Sequence, residues 1–173
     1  MLVLRDNPLI TNDAVPALLL LSCLQVLGLR GTTVSMTGLR RLTPFSKHLS
    51  LDVPTKCEAY LGSPSLSRSH FIRTCTNKRV ELHTQYLLSL VSPLISHPEE
   101  ARTLELAALR RNLSAHAANN SAISMMGGKM TLCARLVELL QRRRDDLAVR
   151  VMVWRYRGRE DVEISSDESV RDA

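Results

Sequence analysis

Two consecutive stretches at the start of the chain repeat one pattern, and that repetition limits the fold more than any other feature. The first runs Leu2-Val3-Leu4-Arg5-Asp6-Asn7, then Ile10, then Ala14-Val15-Pro16-Ala17-Leu18. The second runs Leu27-Gly28-Leu29-Arg30-Gly31-Thr32, then Val34, then Gly38-Leu39-Arg40-Arg41-Leu42. Leu4 and Leu29 lie 25 residues apart, Ile10 and Val34 24. A period in this range marks stacked strand–turn–helix units, none of which can bury its apolar face alone. The alternating leucines point one way from a short strand. Gly31 suits a turn that needs positive φ, and Pro16 falls early in a helix, where its missing N–H is harmless.

The segment Leu24-Gln25-Val26-Leu27-Gly28-Leu29-Arg30-Gly31-Thr32-Thr33-Val34-Ser35 resembles the leucine-rich repeat family in its ribonuclease-inhibitor-like form, with the pattern L-x-x-L-x-L-x-G-T-x-V-S. The resemblance covers roughly residues 1–43. It implies an α/β repeat remnant of short parallel strands and helices, followed by an all-α segment. Leu49-Ser50-Leu51-Asp52-Val53, lying 22 residues after Leu27 and Leu29, is expected to be a closing strand, ended by Pro54. Residues 1–56 thus form one region. Because Leu2 and Leu4 already belong to a strand, the array begins in mid-repeat, so it is expected to continue upstream or to meet a partner there. The family resemblance implies a non-catalytic binding scaffold, similar to repeat-containing substrate adaptors of ubiquitin ligases. Its recognition surface would be the exposed strand face, with Arg5, Asp6 and Arg30 beside it.

The next region, 57–157, reads as helical. Residues 62–78, with Gly62, several serines and basic residues, read as a loop. Leu82, Tyr86, Leu87 and Leu90 predict a helix from about Lys78 to Val91. Ser96-His97-Pro98-Glu99-Glu100 predicts a helix start, with the helix reaching about Ala118 before Asn119-Asn120-Ser121 breaks it. Another spans about Met130 to Arg143. Leu147 to Tyr156 alternates apolar residues and could be a strand or a helix end. Residues 158–173 are charged and poor in core residues, which predicts a disordered acidic tail.

Within 104–144, Leu106, Leu109 and Leu113 precede Gly127-x-Lys129-x-x-Leu132-x-x-Arg135-Leu136. This resembles the SAP motif, a small helix–turn–helix that usually binds DNA, with a longer connection than the motif has. The resemblance implies phosphate contacts from Gly127, Lys129 and Arg135, with Arg142 and Arg143 adding attraction. The same segment also resembles an armadillo repeat, and a helical hairpin acting only as a structural cap is the third reading.

Charge and composition narrow the functions. The chain carries a formal +6, with +5 across 98–157 and −4 across 158–173. That imbalance permits a nucleic-acid partner but is modest for one. Aromatics make up 3% of residues, so the core must be aliphatic. Cys23, Cys57, Cys75 and Cys133 lack metal-ligand spacing and read as reduced thiols of an intracellular protein, cytoplasmic or nuclear. His48, His70, His83, His97 and His116 contain no H-x-x-x-H pair, so no metal is expected. No phosphate-binding or Rossmann glycine pattern is present, so no cofactor or small-molecule substrate is expected. The apolar run Val15–Leu21 contains Pro16 and is far too short for a membrane span. These readings favour a protein partner, keep nucleic acid as the alternative, and speak against a membrane or an enzyme.

Overall fold

The structure, a computed structural model, describes residues 1–62 and 82–168. It is a mixed α/β chain with a small parallel sheet and a long C-terminal helix. The chain divides into two compact units, Met1–Ser69 with Asp146–Ala173, and His70–Asp145.

In the first unit three short strands, β1 (Leu2–Val3), β2 (Val26–Gly28) and β3 (Ser50–Asp52), stand side by side in chain order. All pairs are parallel, with Leu2 opposite Leu27 and Leu27 opposite Leu51. The 25-residue spacing of the first two repeats is therefore the register of β1 on β2, but β3 stands 24 residues from β2 rather than the 22 that would set Leu49 and Leu51 beside Leu27 and Leu29. Each strand leads through a turn into a short helix: α1 (Val15–Leu18), α2 (Met36–Arg40) and α3 (Thr55–Leu61). Pairing continues into the turns, where the Asp6 N–H donates to the Arg30 carbonyl at 2.8 Å and Thr33 N–H to Ile10 at 3.0 Å. Leu27, Leu29, Leu39, Leu42, Leu49 and Leu51 are sealed from solvent in one aliphatic cluster. Burying each such leucine stabilises the fold by about 2 kcal/mol.

The same cluster contains Val149, Met152 and Val153 of the last helix, α5 (Lys129–Glu168). This decides between strand and helix for Leu147–Tyr156. Val149 and Val153 are buried while Val151 is exposed, a pattern of helical rather than alternating burial. Asp146 is fully buried and holds α5 in this unit. Arg40 of α2 donates to it twice, at 2.7 and 3.1 Å, and the Tyr60 hydroxyl of α3 donates at 2.8 Å. Residues 146–157 thus belong with the sheet, whereas the sequence reading grouped them with the helical region. The helix also continues to Glu168, through most of the segment expected to be a disordered tail.

In the second unit, α4 (Leu106–Ala117) packs Leu109 and Leu113 against Leu132, Leu136 and Leu140 of α5. The expected helix from Ser96 is interrupted: Pro98–Thr103 is a 3-10 turn, and Leu104 and Glu105 are extended. The Thr103 hydroxyl donates to the Glu100 carbonyl at 2.8 Å, a local bond that competes with helical continuation. The expected break after α4 is present, and Asn120 Oδ1 there accepts from the Ala122 N–H at 3.1 Å.

The helix predicted over Lys78–Val91 is corrected. Residues 78–81, like most of the 62–78 loop, lie outside the described residues. From Leu82 onward only a 3-10 turn, Leu82–Thr84, forms. Leu82 and Tyr86 are buried as their spacing implied, but the backbone groups that a helix would use are taken by side chains. His116 Nδ1 accepts from the Leu87 N–H at 3.1 Å. Arg143 donates to the Leu87 and Leu88 carbonyls at 2.9 and 2.5 Å. Asn120 Nδ2 donates to the Gln85 carbonyl at 3.3 Å.

Candidate functional site

On the face of the sheet away from the leucines the register sets Val3, Gly28 and Asp52 in one row; Val3 is exposed but Gly28 and Asp52 are buried, so the strand face expected to be exposed is largely covered. Continued two residues, the same register sets Arg5 beside Arg30. Both arginines turn back to Asp52. Arg5 Nε donates to Oδ2 at 2.7 Å and Arg30 Nε to Oδ1 at 3.2 Å. Asp52 is 3% exposed, whereas the two arginines are 37% and 52% exposed. Arg5 must cross the middle strand to reach it, and Gly28 lets it pass: a Cβ there would lie 3.4 Å from Arg5 Nε. Arg5 also donates to the Tyr156 hydroxyl of α5 and lies over its ring, 5.8 Å from the centroid. Two neighbouring rungs therefore deliver cations to one buried carboxylate on the third.

The sequence placed Arg5, Asp6 and Arg30 at strand ends beside a recognition surface. The structure brings Arg5 and Arg30 together; Asp6 sits exposed in the turn with φ +56°, a conformation that aspartate tolerates better than most residues. Asp52 was missed. With Leu49 and Leu51 set beneath Leu27 and Leu29 it would fall under Arg30, whereas the register puts it beside Gly28, two residues before the arginine column.

The second set of candidates lies in the other unit. Gly127 has φ +121°, in the turn just before α5. Lys129 begins α5 and reaches Glu105 at 3.7 Å, both side chains being well exposed. Arg135 donates to the Ser124 and Met126 carbonyls at 2.5 and 3.0 Å, fastening the loop that precedes the turn. Arg142 pairs with Glu138 at 3.0 Å one turn back on α5. Arg143 is turned to Leu87 and Leu88, and burial lowers its pKa. The structure thus gathers Gly127, Lys129 and Arg135 around one turn, while Arg143 serves the strap at 87–88.

Arg135 and Arg142 also border a cavity of about 360 Å³, with Gln85, Tyr86, Asn120 and Leu139 among its other walls. Nearby on α4, Asn112 and His116 are buried one helical turn apart. Asn112 Oδ1 accepts from the Ile95 N–H at 2.9 Å, and its Nδ2 donates to the Ala108 carbonyl. Since His116 Nδ1 accepts from Leu87, the ring proton sits on Nε2, which is buried and has no hydrogen-bond partner. Burial, aided by the charge of Arg143, pushes the His116 pKa down to about 4. This histidine is a fastening of the strap.

Among the thiols, Cys57 is buried against the Val34 carbonyl at 3.6 Å, and burial raises its pKa to about 11. Cys23 is exposed and Cys133 half-buried; Cys75 and His70 lie outside the described residues. Among the described residues, no helix is long and apolar enough to cross a membrane. No protein-family model, curated protein or solved structure matches the chain.

Proposed function

We propose that the chain is a non-catalytic protein-interaction scaffold of leucine-rich-repeat type, with the outer face of β1–β3 as its contact surface. The observation that carries this reading is the ladder: three parallel strands one repeat apart, leucines sealed on one face, Arg5 and Arg30 aligned on the other. Repeat arrays use such rigid faces to bind extended partners. The anchoring of both guanidinium groups on a buried carboxylate fixes their direction before any partner arrives, which reduces the ordering cost of binding.

The test is a quantitative capture experiment with the purified chain and its Arg30→Glu variant. Arg30 is half-exposed and Asp52 keeps Arg5, so the fold should survive; unchanged unfolding followed through Trp154 fluorescence would verify this. The reading expects at least one saturable protein partner that is lost, about tenfold or more, on substitution. No saturable partner, or partners that bind both forms equally, would overturn it.

Nucleic-acid binding through 104–144 is the second reading. The exposed Lys129 beside the positive-φ turn at Gly127 favours it, and the intramolecular bonds of Arg135 and Arg143 weigh against it. Binding to duplex DNA that falls steeply with salt, and is lost in Lys129→Ala with Arg142→Ala, would support this reading. No binding at low salt would remove it.

A further inference from the structure

The cavity in the second unit is walled by three separated stretches of chain: the strap at 85–86, the connection after α4 at 120–123, and α5. All of them lie within His70–Asp145. Helical spacing builds the α5 wall. Arg135 and Arg142 are close to two full turns apart, so both leave one face of the helix, about 10 Å from each other along its axis. Glu138 and Leu139 fall between them on that face. The long arginine side chains converge on the same space.

The walls divide by chemistry. Ile123 and Leu139 form an apolar side; each packs on the core of this unit yet stays only partly buried. The charged side is rich in donors, since a guanidinium carries five N–H groups. Arg135 uses only Nη1, on the Ser124 and Met126 carbonyls, and Arg142 only Nη2, on Glu138. Their other nitrogens make no further hydrogen bond among the described residues. Asn120 is engaged at both ends by backbone groups, so the arginines are what an incoming acceptor meets. Two guanidinium groups and the Glu138 carboxylate leave a net positive charge of one.

We propose that this cavity binds a small organic monoanion, a carboxylate carried on an apolar body. The carboxylate accepts from the unengaged nitrogens of Arg135 and Arg142, since guanidinium groups suit carboxylate oxygens in geometry and charge. The body lies on Ile123 and Leu139. A single net positive charge suits a monoanion better than a dianion. The space, about 360 Å³, is at the small end of ligand pockets, which run from roughly 300 to 1,000 Å³. The sequence gave no sign of such a ligand, because no motif spans walls drawn from positions 85 to 142. The proposal does not rest on the scaffold reading, whose contact surface lies in the other unit.

Titration of the isotopically labelled full chain with cinnamate, followed by N–H correlation spectra that include the arginine side chains, tests it. Cinnamyl alcohol keeps the body without the charge, and acetate keeps the charge without the body. The expected result is saturable binding of cinnamate with a Kd below about 1 mM. Shifts should centre on 120–123, Arg135 and Arg142, and both control compounds should bind at least tenfold more weakly. Arg142→Gln removes one of the two cations, and Ala122→Phe fills the space; each should weaken cinnamate at least tenfold. Both positions are exposed. The backbone spectrum reports whether each variant is folded, and if one is not, the other decides. No saturable shift up to about 10 mM, shifts centred elsewhere, equal binding of either control, or affinity untouched in a folded variant would each overturn the proposal.

Discussion

The two compact units are held together by different means. In the first, periodic leucines do the work, and polar groups mostly join one rung to the next. Asn12, for example, accepts from the Ser35 N–H at 2.9 Å and donates to its hydroxyl. In the second, two leucine-faced helices carry an irregular strap over 85–95 whose backbone is satisfied by Asn112, His116, Asn120 and Arg143. Periodic burial specifies a backbone through repeated local patterns, whereas a strap clasped by side chains depends on residues tens of positions away. The first arrangement tolerates the loss of one polar contact better than the second.

The largest effect should come from a buried place where the first unit does depend on a distant polar group. Asp146→Ala removes a fully buried carboxylate that accepts from both the Arg40 guanidinium and the Tyr60 hydroxyl. Breaking such a pair costs about 3–5 kcal/mol. Denaturant unfolding monitored through Trp154, the chain's only tryptophan, should show that loss. A change below 1 kcal/mol would mean that the leucine ladder holds this part of α5 unaided.

Arg143→Ala comes next. It leaves the Leu87 and Leu88 carbonyls without their donor, at a cost of about 1–3 kcal/mol. Hydrogen exchange measured by mass spectrometry should quicken over 85–95 while 26–30 stays protected. Equal loss of protection in both segments would erase the distinction between the two kinds of unit.

The effect that is smallest near neutral pH is a dependence on pH. His116 has a folded pKa of about 4 against an ordinary 6.5, so the unfolded chain binds more protons between these values. The stabilisation from a neutral His116 is complete above pH 6.5 and is lost as pH falls toward 4. Exchange over 85–95 should quicken across that window, and His116→Gln should flatten the response. A profile unchanged by the substitution would assign the effect to other groups.

How far the sequence could be read follows the same division. The leucine spacing foretold three parallel strands, their order and most of the core, because each rung carries its own local signal. Leu49–Val53 was legible as a closing strand for that reason. The fate of Leu147–Tyr156 was ambiguous, since Val149, Val151 and Val153 alternate as in a strand while Val149 and Val153 also have helical spacing, and the exposure of Val151 with the burial of Met152 separates the two. The strap was misread as a helix because Leu82, Tyr86, Leu87 and Leu90 have helical spacing, while the groups that divert its backbone come from α4, α5 and the turn between them. For the candidate site, Arg5 and Arg30 were legible as a column. Asp52, which draws them together, was hidden within an apolar strand, and Asp146, just past the predicted helix end at Arg143, has no local signal for its burial on Arg40.

The leucine ladder is the central claim, and a methyl NOE spectrum of the isotopically labelled chain tests it most directly. Cross-peaks should link Leu27 to both Leu2 and Leu51, the rungs on either side of it in the register. If Leu27 instead shows contacts only to residues three and four positions away, as in a continuous helix, the parallel array does not exist and the scaffold reading falls with it.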